Sequence, residues 1–75
     1  MYDYMASSAV PIGVSMAAIW NQPQPIMPTN EDGWTVIYVK YEGNNVYNIA
    51  IAHQLDNFDL WLYNCRNKHW TRITK

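Results

Sequence analysis

The sequence predicts an α+β fold: a short N-terminal helix followed by a four-stranded antiparallel β-meander, in a single domain. Residues 34–41 are dense in Val, Ile and Tyr, which suit a pleated, half-buried surface. Alternating runs recur at 46–53, 58–65 and 69–74, each set off by turn formers. At 75 residues, 49% hydrophobic, 15% aromatic and 15% charged, the chain has the composition of one packed core and not of a disordered tail. A bent sheet closing into a small SH3-like β-barrel is the alternative, because short strands at this spacing serve either architecture.

Residues 1–8 carry no strong pattern, although Tyr2 and Tyr4 alternate as in a short edge strand. Residues 11–21 read as a helix, with Ser8 or Ser15 as N-cap and Ala17 and Ala18 supplying propensity. Val10, Val14 and Ala18 share one stripe of that helix; Ile12, Met16, Ile19 and Trp20 share another. So much apolar circumference favours burial against a sheet. Pro23, Pro25 and Pro28 make 22–28 a stiff extended connector. Its Pro25-Ile26-Met27-Pro28 matches a PxxP ligand but lacks a flanking base. Residues 29–33 then turn the chain into the sheet, so residues 1–30 are expected to be helix and connector and 31–75 the sheet.

Glu42-Gly43-Asn44-Asn45 reads as a hairpin connection, since Gly and Asn tolerate positive φ. With Gly43-Asn44 central, Trp34, Val36, Tyr38 and Lys40 share a face with Tyr47, Ile49, Ile51 and His53. Ile37, Val39, Val46, Ala50 and Ala52 line the other, where the small side chains leave room for a helix. Gln54-Leu55-Asp56-Asn57 is the next loop. If Asn67 and Lys68 are the last turn, Cys65 faces Trp70, Tyr63 faces Arg72 and Leu62 faces Ile73, because antiparallel partners keep a constant index sum. Leu60, Leu62 and Ile73 then form a core face. Trp61, Tyr63, Trp70 and Arg72 look outward, with Arg66 and Lys68 at the rim. Trp, Tyr and Arg dominate binding hot spots, so these six residues are the candidate partner-binding surface.

Charge is distributed unevenly. Six acids and one base lie in residues 1–59, a charge of -5, while residues 60–75 hold four bases and no acid, +4. The C-terminal hairpin is a basic pole, which argues against an acidic mimic of nucleic acid. A lone cysteine requires no oxidising compartment, so a cytoplasmic chain is expected. Residues 5–20 are uncharged, but no base precedes them as in a signal peptide, and Pro11 and Gly13 interrupt a stretch already short of the roughly 20 residues that span a bilayer. No membrane role is expected.

Catalytic and metal chemistry find thin support. Cys65, His69 and His53 offer zinc-ligand types, but the usual paired clusters are missing. Cys65, His69 and Asp59 have the residue types of a nucleophilic triad without a recognisable oxyanion hole, and Asp56 with Asp59 reads as turn chemistry. The expectation is therefore a non-enzyme with no cofactor or metal.

Trp20, Pro25, Pro28, Asp32-Gly33, the Val36-Ile37-Tyr38 strand, Tyr47, Ala50 and His69-Trp70 together resemble short phage and prophage accessory proteins. These often run from an N-terminal Trp through a Pro and Asp-Gly turn into a Val/Ile/Tyr strand, and close on His-Trp. Their usual Pro-containing tail is replaced here by Thr71-Arg72. The resemblance implies a phage origin and transfers no functional residues. It makes the expected function a small protein-binding module that inhibits or redirects a host protein, as anti-CRISPR proteins do, in the host cytosol. A homodimer using the same hairpin face is a variant of this expectation. The alternative is a single-stranded nucleic-acid binder in which the same rings stack bases and the bases of the hairpin track phosphates.

Overall fold

Five strands, one more than the sequence suggested, form the sheet, and the extra one comes from the segment expected to be helical. The computed structural model describes residues 1–20 and 26–74. A single-turn helix α1 (Tyr2–Ala6) precedes β1 (Gly13–Ile19), β2 (Trp34–Lys40), β3 (Ile49–Gln54), β4 (Leu60–Asn64) and β5 (His69–Arg72). The strands are antiparallel in the order β1-β2-β3-β4-β5. The α+β meander stands. β1 and β5 are the two edges and do not pair, so the sheet is open and not an SH3-like barrel.

The helix expected over 11–21 is thus overturned, and the sheet begins at Gly13 rather than after residue 30. Helix propensity favours Ala17 and Ala18 by only tenths of a kcal/mol per residue, and the exposed edge of β2 offers a full ladder of backbone partners. Every residue of β1 pairs, from Gly13 opposite Lys40 to Ile19 opposite Trp34. Of the Pro-rich connector, residues 22–25 lie outside the described residues, as does the first proline of the PxxP match.

Among the described residues, only one face of the sheet is covered. Trp34, Val36 and Tyr38 of β2, Ala50 and Ala52 of β3 and Tyr63 of β4 are buried beneath Met5, Val10 and Met27. Ala50 and Ala52 make a shallow trough in the centre, into which the cover settles. Lys40 pins that cover: its Nζ donates to the carbonyls of Ser7 at 2.8 Å and Val10 at 2.9 Å. The Trp34 indole, fully buried, donates to Glu31 O at 2.8 Å. Gly33, at φ 82°, lies under the Trp20 ring, and a Cβ there would come within 3.0 Å of that ring. Trp20 and Gly33 therefore meet at one structural joint.

The register of β2 with β3 differs by one residue from the expected one. Trp34 pairs with Gln54, Val36 with Ala52 and Tyr38 with Ala50, and a slip of one residue sends every side chain of a strand to the opposite face. The cause is the connection. Asn45–Tyr47 is a 3-10 turn, and Asn48, fully buried, accepts from Tyr41 N at 2.8 Å and donates to Asn45 Oδ1 at 3.0 Å. Side-chain amides do the work expected of a two-residue turn, and β3 starts at Ile49 instead of Val46.

Candidate interaction surface

The C-terminal hairpin keeps its expected facial grouping but turns it the other way. Trp61 pairs with Arg72 and Tyr63 with Trp70, a shift of two residues that preserves which side chains share a face. Lys68 at φ 57° closes the turn, its N–H donating to Asn64 O at 2.8 Å. That face points at the core. Tyr63 is buried, with Trp61 and Trp70 half-buried beside it. Trp70 stands edge-on to Tyr63 with ring centroids 5.2 Å apart and donates its indole N–H to Ile26 O at 3.2 Å. The outward placement of these rings is corrected: Ile26 and the N-terminal turn need an apolar floor, and these rings supply it.

The cations of the hairpin are engaged on their own chain. Arg72 Nη2 is 2.8 Å from Asp59 Oδ1, so the basic pole is partly answered by the last acid before it. Lys68 Nζ sits 4.5 Å above the Tyr2 ring, tying the turn to α1. Arg66 lies 5.6 Å above the Tyr47 ring, and Tyr47 in turn meets Tyr41 edge-on at 6.0 Å. Tyr41 is 51% exposed and Tyr47 53%, with Val46 partly exposed next to them and Arg66 exposed above. The structure therefore assembles a solvent-facing Tyr41–Tyr47–Arg66 corner at one end of the sheet. Of the six nominated residues only Arg66 belongs to it. The two tyrosines that flank the β2–β3 connection were the missed signal, because rings beside a polar turn have few neighbours to bury them.

The second face of the sheet has no cover among the described residues. Val14 is 75% and Met16 70% exposed, and Ile37, Val39, Ile49, Ile51, Leu60 and Leu62 complete an apolar surface open to solvent. Leu60 and Leu62, expected to face a core, are on it; Ile73 beyond β5 is exposed. At the β3–β4 end a shallow depression of about 310 Å³ is lined by Thr35, Ile37, Ile51, His53, Phe58 and Leu60. Phe58 is held there at φ 61° with its ring 5.4 Å from that of His53. A bulky residue in left-handed backbone is uncommon and is retained where its surroundings fix it. Here Gln54 does so. The Gln54 carbonyl accepts from Phe58 N at 2.9 Å, and its Oε1 accepts from the amides of Asp56 and Asn57, both at 2.8 Å.

The residues considered for chemistry are dispersed into structural work. Cys65 is buried, and burial pushes its thiol above the ordinary 9.0, the opposite of what a nucleophile needs. Asp59 holds Arg72 and Thr74. His53 lies on β3, and His69 begins β5 with its Nδ1 3.4 Å from Asn67 O. Among the described residues no three His, Cys, Asp or Glu side chains gather as metal ligands, and no helix is long and apolar enough to cross a membrane. The chain matches no protein-family model, no curated protein and no solved structure.

Proposed function

We propose that this chain is a small non-enzymatic, cytoplasmic protein-binding module, phage-encoded, that inhibits or redirects a host protein in the manner of an anti-CRISPR. The observation that supports this reading is the Tyr41–Tyr47–Arg66 corner. Tyrosine and arginine are the residue types on which interface energy concentrates, and here they stand exposed yet ordered by contact with one another. Pre-stacked rings lose little conformational freedom when a partner docks. The partner chemistry that fits is a protein surface offering a carboxylate beside an apolar patch: the carboxylate meets Arg66, and the apolar patch meets the tyrosine rings and Val46. Phage origin rests on the sequence resemblance.

The single-stranded nucleic-acid alternative is left with less to work with. Tyr63 is buried and Trp70 is committed to Ile26, which removes two of the hairpin's stacking platforms.

The test is comparative capture from a bacterial lysate with wild type and a Tyr47→Ala/Arg66→Ala variant. A host protein held by wild type through high salt and released by the variant supports the proposal, with affinity lowered by about 2 kcal/mol or more. Identical capture by both proteins refutes it. Retention of a single-stranded oligonucleotide that collapses steeply with salt transfers the function to the alternative.

A further inference from the structure

From the open face of the sheet we infer that two copies of this chain pack face to face through β1–β4 as a homodimer. Three observations converge on a second copy as the occupant.

The first is charge. Successive residues of a strand alternate faces, and the registers place Val14, Met16, Ala18, Thr35, Ile37, Val39, Ile49, Ile51, His53, Leu60, Leu62 and Asn64 on the uncovered side. None is Asp, Glu, Lys or Arg, whereas the two such residues in the strands, Lys40 and Arg72, lie on the covered side. A two-fold interface brings each patch against its own copy, so any like charge near the axis would repel itself. A face without charge meets that condition. It also offers nothing to steer a charged partner, whether an acidic protein, nucleic acid or anionic lipid.

The second is size. Four strands about 4.8 Å apart and about 20 Å long project onto roughly 400 Å². Side chains standing on that area, Val14, Met16, Ile37 and Phe58 above all, expose more than its projection, which carries the face toward the roughly 800 Å² per partner of a stable interface. The projected area is already on the scale of the largest apolar patch on a typical soluble monomer, which is often a functional one.

The third is shape. Two open sheets pack at about 10 Å when their inner side chains interdigitate, and the tall side chains of Val14 and Met16 stand at one edge while the depression beside Phe58 lies across β2, β3 and the start of β4. A relief with both projections and a hollow can engage a copy of itself. None of Tyr41, Tyr47 and Arg66 lies in the strands of this face, so the two proposals stand or fall separately.

Sedimentation of the full chain across micromolar concentrations tests the inference. Wild type is expected at twice the chain mass, and Ile37→Glu at the monomer mass with unchanged far-UV circular dichroism and thermal melting. The dimer dissociation constant should rise about 100-fold or more, as follows from burying an unpartnered carboxylate in each copy. Met16→Glu, at a position 70% exposed in the monomer, gives the same readout should Ile37→Glu misfold. Tyr47→Ala should stay dimeric. A monomeric wild type overturns the inference. So does a dimer that survives Ile37→Glu, since Ile37 lies one strand in from the edge and an edge-to-edge dimer through β1 would tolerate it.

Discussion

Replacing Gln54 with Leu removes the polar centre of the β3–β4 loop while keeping a side chain of similar bulk. Gln54 is fully buried. Its Nε2 donates to Asp32 O at 2.9 Å, and its Oε1 accepts from Asp56 N and Asn57 N at 2.8 Å each. One net hydrogen bond contributes about 1 kcal/mol, so three set a ceiling near 3 kcal/mol. Leucine returns part of this through its apolar surface, and the amides of the exposed Asp56 and Asn57 can rehydrate. The expected cost is therefore about 2 kcal/mol, or roughly 8–16 °C in Tm for a domain of this size. Urea denaturation should show a lower midpoint with an unchanged m-value. Hydrogen exchange at Asp56, Asn57 and Phe58 should accelerate more than at β2, because the same side chain fixes the loop that holds Phe58 at φ 61°. A loss below about 0.5 kcal/mol, or exchange in this loop no faster than in wild type, would refute the assignment of Gln54 as its anchor.

Trp70→Ala should destabilise the fold by about 2–3 kcal/mol in urea melts, because the half-buried ring supports Tyr63 and Ile26; wild-type stability in this variant would show that the ring is not part of the core. Stability should also fall in alkali. Burial raises the Cys65 thiol above 9.0 and the Tyr38 and Tyr63 phenols above 10.0, with Tyr4 adding to the shift at Tyr38 and Cys65 to that at Tyr63. These groups hold protons more tightly folded than unfolded, so their contribution is intact below about pH 9 and is lost as the pH rises through the folded values. A urea midpoint unchanged between about pH 8 and about pH 11 would contradict this.

The sheet was legible where the chain signals locally and illegible where tertiary contacts decide. β2 and the C-terminal hairpin follow from β-branched and aromatic residues between turn formers, and both are present. Two residues of error in the last turn did no damage to the facial grouping, since the alternation has period two. One residue of error at the β2–β3 connection reversed β3, and what set it was a buried Asn48, a side-chain effect that no turn dipeptide announces. β1 was misread because Val14-Ser15-Met16-Ala17-Ala18-Ile19 supports either period. Its conformation is decided by the vacant edge of β2, which propensity does not register.

The location of the candidate surface failed for a different reason. Alternation tells which side chains travel together, but not which group meets the cover, and the hairpin offered two apolar sets. Bulk decided it. Ala50 and Ala52 make a trough that Met5, Val10 and Met27 fill, and Trp61, Tyr63 and Trp70 are the large rings able to wall that trough on the β4–β5 side. The aliphatic set is flatter and lacks polar tips needing partners, so it is the side a small chain can leave for another surface to bury. A short α1 and the Val10 and Met27 segments suffice for one face of five strands, and the described residues hold no second layer for the other. The same shortage that buries the indoles therefore leaves Val14, Met16 and Ile37 exposed, and the core and the dimer face are two consequences of one limited supply of covering chain.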